Sequence, residues 1–191
     1  MARLYTKTGD KGNTTLYDRK NIPKYDSIFN ALGDLDELSA HIGLLATFSM
    51  PSGGPSITQA LRKIQNNLLN IGSDLSSMSK RGNIIPITEH DIKELEDFID
   101  YYSAAVPELR NFILPGVEMR DAHAHICRTV CRRTERSMLK AKKKSWDLEI
   151  SGSILPIMTG DNTFIYMNRL SDYFFALARY LSGGKETERQ N

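Results

Sequence analysis

The densest chemistry in the sequence lies between residues 128 and 136. Arg128, Arg132, Arg133 and Arg136 put four guanidinium groups into nine positions, with Glu135 among them. On a helix, positions 128, 132, 135 and 136 share one face by the i, i+4, i+7, i+8 rule. Ile126, Cys127, Val130, Cys131 and Met138 fill the adjoining apolar face. Like charges at i, i+4 destabilise a helix unless something neutralises them, and one glutamate is not enough. A polyanion such as a triphosphate would neutralise them, and arginine is the side chain best matched to phosphate oxygens. A solvated face, or ion pairs to other helices, accounts for the pattern equally well. Lys140 and Lys142 to Lys144 follow at the helix end, where they oppose the dipole.

Four other segments bear on chemistry. Thr6-Lys7-Thr8-Gly9-Asp10-Lys11-Gly12-Asn13-Thr14-Thr15 combines glycines that allow close backbone approach with hydroxyls and lysines that can wrap phosphates. It has no Walker A pattern, and as composition alone it is an ordinary loop. Asp34, Asp36 and Glu37 lie within four positions. Leu35 and Leu38 point inward, so Asp36 or Glu37 sits beside the core edge, where a carboxylate wants an arginine partner. Phe112-Ile113-Leu114-Pro115-Gly116 is an apolar loop that must pack on its own core or on a flat apolar ligand. Tyr166 to Tyr173 contains Arg169 and Asp172, an i, i+3 pair that can be purely structural. His123 and His125 are two apart and face different ways on a helix. No Glu-x-x-His pair occurs, and Cys127 and Cys131 lack further thiols. We therefore expect no metal centre built by the protein.

The elements that must position these residues read as helices. Ile28, Leu32, Leu35, Leu38, Ile42 and Leu45 predict a first helix over about 25–48. Ser56 caps a second, marked by Leu61, Ile64, Leu68, Ile71 and Leu75. Thr88 starts a third with Asp91 as its capping-box partner, running to about Ala105. A fourth spans Met119 to about Lys143, and a fifth spans about 161–182 and stops at Gly183-Gly184. Residues 4–24 read as an ordered loop, 50–56 as a break, 79–87 as a loop, 145–161 as irregular and 185–191 as a frayed tail. No segment alternates as a strand. The expectation is one all-α bundle of about five helices, a single domain over 1–191.

The bulk numbers agree. The 191 residues are 40% hydrophobic with a net charge of +2, too mild to argue for nucleic acid. No apolar stretch suffices to cross a bilayer, so no membrane role is expected. Two cysteines four apart make no disulfide framework and suit a reducing compartment. No targeting segment precedes the first motif, which points to the cytoplasm, or to a mitochondrion had a presequence been removed.

Taken in order, these pieces resemble the signature of the PduO-type ATP:cob(I)alamin adenosyltransferases over nearly the whole chain. They are Thr6 to Gly12 with Thr14-Thr15, Asp36-Glu37-Leu38, Phe112 to Gly116, Arg128 with Arg132 to Arg136, and Asn168 to Tyr173. The resemblance implies a ferritin-like helix bundle and a homotrimer with active sites between subunits. It implies transfer of the 5′-deoxyadenosyl group of ATP to the cobalt of cob(I)alamin, giving adenosylcobalamin and triphosphate, with Mg²⁺ held mainly by the ATP phosphates. Thr6, Lys7, Thr8, Gly9, Thr14, Thr15 and Lys24 would order around ATP. Arg132, Arg133, Glu135, Arg136 and Asn168 would complete that site. Asp36 would pair with Arg128, within the chain or across the interface. Phe112 would press on the lower face of the corrin and displace its dimethylbenzimidazole. A flavoprotein reductase and a B12-dependent acceptor enzyme are the implied partners. Two features depart from the pattern. Val117 stands where the family commonly has a second glycine, which stiffens the loop after Phe112. The stretch between Arg136 and Asn168 is longer than usual, as a surface insertion or an altered docking surface. A non-catalytic ATP- and B12-binding bundle is the alternative. A nucleic-acid-binding bundle leaves the loops at Gly9 and Phe112 unexplained.

Overall fold

The computed structural model describes residues 5–16, 21–48, 50, 56–77, 85–150, 160–185 and 187–188. Five helices dominate: α1 (Ser27–Leu45), α2 (Ile57–Ser76), α3 (Glu89–Ala104), α4 (Met119–Ile150) and α5 (Asp161–Leu181). Four two-residue strands make two small antiparallel ladders. β1 (Asn13–Thr14) pairs with β2 (Ile22–Pro23), and β3 (Ile113–Leu114) with β4 (Thr187–Glu188).

Side-chain caps start the first three helices, at Ser56 and Thr88 as the sequence signals and at Asp26 as well. The Asp26 carboxylate accepts from the Ile28 N–H at 3.1 Å, and the Ser56 hydroxyl from Gln59 at 3.3 Å. Thr88 and Asp91 form the expected capping box. The apolar stripes then meet. α1 packs on α2 and α4, and α5 on α3 and α4. Leu38, Ile42, Leu61, Ile71, Met138, Leu170, Phe174 and Leu177 are almost wholly buried between them. Each such side chain contributes about 1.5–3 kcal/mol. Lys63 closes the α2–α3 edge on Asp91 and Glu94. No helix among the described residues is long and apolar enough to cross a membrane.

Three expectations change. α4 continues through Ile150, so residues 145–150 are helical rather than irregular. Its basic end is anchored: Lys142 lies 4.6 Å over the Phe164 ring, and Lys144 bonds Asp26 at 3.0 Å. Residues 151–159 of the long stretch lie outside the described residues, as do 4 and 17–20 of the first loop, 51–55 of the break and 79–84 of the next loop. The expected absence of strands gives way to the two ladders, which are too short to show an alternating pattern. The tail, expected to fray from 185, supplies β4, because the extended backbone of β3 offers hydrogen-bonding groups that need partners.

Candidate functional site

The arginine face of α4 is built as its spacing implies. Arg132 and Arg136 are exposed, and no carboxylate among the described residues pairs with either. Arg136 Nη1 donates to the Arg132 carbonyl at 3.0 Å, which keeps the two guanidinium groups on one strip of surface. Glu135 accepts from Asn168 Nδ2 of α5 at 3.4 Å, so these two of the expected site residues, from different helices, lie side by side. Arg128 is half-buried, and its Nε is fully buried without a hydrogen-bond partner among the described residues. Burial, and then the charge of Arg132, hold its pKa below the usual arginine value. This strip is therefore a run of cations whose charge the described part of the chain leaves unpaired.

Arg128 also borders a cleft of about 800 Å³, within the range of small-molecule sites. Phe112, Ile113, Pro115, His125 and Phe175 form its walls. Phe112 is 83% exposed at the rim. Holding a phenyl ring in water is unfavourable unless something apolar comes to cover it. The loop that presents it is anchored by Asp121, whose carboxylate accepts the backbone N–H groups of Gly116, Val117 and Glu118 at 3.1, 3.0 and 2.5 Å. Gly116 takes a φ of 103°, which calls for glycine, and Val117 keeps an ordinary negative φ. A β-branched residue is thus accommodated at 117.

The N-terminal residues gather separately. Lys24 N–H donates to the Gly12 carbonyl at 2.9 Å, beside the β1–β2 ladder. Lys24 Nζ then lies so close to Gly9 that a Cβ there would sit 3.1 Å from it. Lys7 has a φ of 59°, and the Thr6 and Thr8 hydroxyls share a hydrogen bond of 2.8 Å. Thr14 lies in β1 and Thr15 follows it, exposed. Thr6, Lys7, Thr8, Gly9 and Lys24 thus cluster, but no hydrogen bond or ion pair among the described residues joins them to Arg132 or Arg136.

Two of the expected site residues stand away from this strip within the single chain. Arg133 does not share the open strip. Its Nε bonds Asp34 at 3.0 Å and its Nη2 bonds Glu37, which together raise its pKa. The reason is rotation: 133 lies about 100° from 132 and faces α1. Thr134 and Ser137 also bond Asp34, at its carbonyl and carboxylate. Asp36 does not meet Arg128. It is exposed on an α1–α2 groove of about 290 Å³ beside Leu32, Leu69 and Ser73. Asp34 and Glu37 turn toward α4, and position 36 lies some 200° around the helix from 34.

Sequence reasoning did not single out Asp121 or Phe175, and considered His125 as a metal ligand, which it set aside. The i+3 position of Asp121 after Glu118 is a capping signal that was available. Nothing local marks Phe175, whose ring lies 6.0 Å from that of His125. The cysteines are unsuited to nucleophilic chemistry. Burial pushes the Cys127 thiol up to about 12, and Cys131 is raised too while its thiol donates to the Met167 carbonyl. Among the described residues no group of three His, Cys, Asp or Glu is placed to hold a metal ion.

Fold and site together define a five-helix bundle with an open arginine strip running into an apolar cleft, the elements of a protein that takes an anion and a flat hydrophobic group side by side. The family model for cobalamin adenosyltransferases matches residues 4–181, and the chain belongs to that family. It is 40% identical over 182 residues to the corrinoid adenosyltransferase of Bacillus subtilis, covering 94% of this chain and 86% of that one. It is 37% identical over 186 residues to the cobalamin adenosyltransferase of Cupriavidus metallidurans, covering 95% and 89%. Among solved structures it resembles a variant PduO-type ATP:corrinoid adenosyltransferase from Lactobacillus reuteri complexed with cobalamin and ATP. The TM-score is 0.83 at 30% identity, with 99% of each chain covered.

Proposed function

We propose that this chain transfers the 5′-deoxyadenosyl group of ATP to the cobalt of cob(I)alamin, releasing triphosphate. The observation that supports this most is the junction of two features at Arg128: an unpaired cationic strip and a cleft walled by an exposed phenylalanine. Triphosphate lies along Arg132 and Arg136, with the cluster of Thr6, Lys7, Thr8, Gly9, Thr14, Thr15 and Lys24 closing over ATP. The corrin enters the cleft with its lower face on Phe112.

The chemistry needs little else. An axial base feeds electron density to cobalt and makes one-electron reduction of cob(II)alamin difficult. An apolar ring in the base's place removes that donation. An electron from a reductase, a flavoprotein by family resemblance, then gives Co(I). Its electron pair attacks C5′ of ATP, a Co–C bond forms, the C5′–O bond breaks and both electrons of that bond leave with triphosphate. No proton moves, so no general base is required, in keeping with thiols pushed out of range. The protein contributes orientation and neutralisation of the leaving group. Mg²⁺ would ride on the phosphates, with Glu135 the acidic side chain on that face and Asn168 beside it.

A homotrimer accounts for the two faces. Arg128 on one copy and Asp36 on another can meet at an interface, which the single chain does not allow. The product would pass to a B12-dependent acceptor enzyme, and a reducing compartment such as the cytoplasm suits Co(I). The test is an anaerobic optical assay with cob(I)alamin, Mg²⁺ and ATP. Adenosylcobalamin that requires both protein and ATP establishes the reaction. ATP and corrin binding without product would instead identify a binding or chaperoning bundle.

A further inference from the structure

Phe112 is exposed, so its own side-chain packing does little to hold it. What fixes the ring is the backbone of residues 107–118, which is tied down at three points. Arg179 of α5, itself buried, donates from Nη2 to the Pro107 carbonyl at 2.5 Å. α5 ends in a Schellman turn: Gly184 N–H bonds the Arg179 carbonyl at 3.0 Å and Gly183 N–H the Tyr180 carbonyl at 3.1 Å. That turn lays Gly184 on Pro107 so tightly that a Cβ at 184 would come within 2.7 Å of the proline ring. The chain then returns as β4 and pairs with β3, Leu114 opposite Thr187 and Ile113 opposite Glu188. The residue immediately before β3 is Phe112. Asp121 holds the far end through three backbone N–H groups.

We propose that the C-terminal end of the chain, from Arg179 through β4, is a positioning element of the corrin site: a backbone clamp that keeps Phe112 rigid enough to displace the axial base. The inference rests on the adenosyltransferase reading given above. Its physical basis is that a ring replacing a coordinating nitrogen must not yield. A soft loop lets the ring step aside and the base return, whereas a loop fixed at 107, 113–114 and 116–118 does not. A two-residue ladder is too small to govern the stability of the bundle. Its position beside Phe112 gives it local leverage instead. The clamp acts through Phe112 and touches no reacting atom, so it affects the step that needs a base-free cobalt and spares the attack on ATP.

The experiment ends the chain after Lys185 and, as a second variant, makes Thr187→Pro in the full-length protein, since proline breaks ladder pairing without shortening the chain. Hydrogen exchange over Ile113–Leu114, one of whose amides donates across the ladder, reports the pairing directly, whatever the activity. Thermal unfolding reports the bundle. Both variants should lose protection at 113–114 and keep their melting temperature. Turnover starting from cob(II)alamin should fall by about tenfold or more, while turnover from prereduced cob(I)alamin stays within about threefold, the scale expected for a small misplacement of one group. The spectrum of bound cob(II)alamin should shift toward the base-coordinated form. Equal losses from both oxidation states, or an unchanged ratio with protection at 113–114 lost, would overturn the clamp. If the intact protein makes no adenosylcobalamin at all, the proposed function fails first and the clamp's role in it fails with it.

Discussion

α4 presents two polar faces, and they are finished in opposite ways. Toward α1, Arg133, Thr134 and Ser137 all converge on Asp34, Arg133 also takes Glu37, and His123 meets His41. On the other side Arg132 and Arg136 have no carboxylate, and Arg128 leaves a buried Nε without a hydrogen-bond partner, among the described residues. The same residue type four times in nine positions therefore does two jobs. A polar group whose bonds are complete within the chain contributes to folding. One left incomplete at a cleft costs stability and is retained where a ligand completes it.

Substitutions on the open face should damage turnover and leave folding alone. Arg132→Ala or Arg136→Ala should lower kcat/KM for ATP by about a hundredfold or more, as loss of a charged transition-state contact does. The melting temperature should hold or rise slightly as like charges are removed. Steady-state kinetics beside thermal unfolding checks both. Near-normal turnover would remove the triphosphate from this strip and erase the contrast between the faces.

Phe112→Ala comes next. ATP binding should remain, and reaction from cob(II)alamin should fall by roughly tenfold more than reaction from cob(I)alamin, on the scale of misplacing one group. Equal losses would reject base displacement. The Asp36 and Arg128 pair sharpens the comparison further, because each looks incomplete only within a single chain. Asp36→Asn and Arg128→Ala should each cost about tenfold, and the double variant little more, if the two complete each other between copies. Additive losses would mean that they act separately.

How far this was legible in the sequence depends on range. The five helices were legible because each has a long 3.6-residue stripe, and α2 and α3 also carry side-chain caps with a local signature. The arginine strip was legible because helical spacing alone places it. The partner of Arg133 was not legible, because Asp34 sits almost a hundred residues away. Residue 36 was ambiguous for the same reason: local pattern says which positions leave the core, and only packing says which neighbour they face. The clamp on Phe112 was invisible. Arg179, Gly184 and β4 reach Pro107 and β3 across more than seventy residues, and a two-residue strand has no period to detect. The Phe112 loop reads as packing on its own core or on a flat apolar ligand; in the fold Phe112 is exposed, and what holds it in place is backbone geometry that side-chain identity does not encode.

The closed face supplies the converse tests, with smaller effects. Arg133→Ala should lower stability by up to about 1 kcal/mol, since the pair is partly exposed and screened, which is about 2–4 °C for a chain of this size. Its ATP kinetics should change far less than those of its neighbours. The smallest effect should come from His123. Burial, chiefly, holds its pKa below the ordinary 6.5, while its Nε2 donates to the His41 carbonyl at 3.0 Å. The unfolded chain therefore binds this proton more readily than the folded one. The stabilising contribution is complete above pH 6.5 and is lost as pH falls through the lower folded value. Melting temperatures between pH 8 and 5 should drop more steeply for the native protein than for His123→Gln, which can keep a donor near the carbonyl. Turnover at pH 8 should match within about twofold, as for a residue remote from the transition state. A parallel decline in both proteins would assign the acid sensitivity to other groups. A loss of turnover at pH 8 would mean that this face is not closed off from the chemistry.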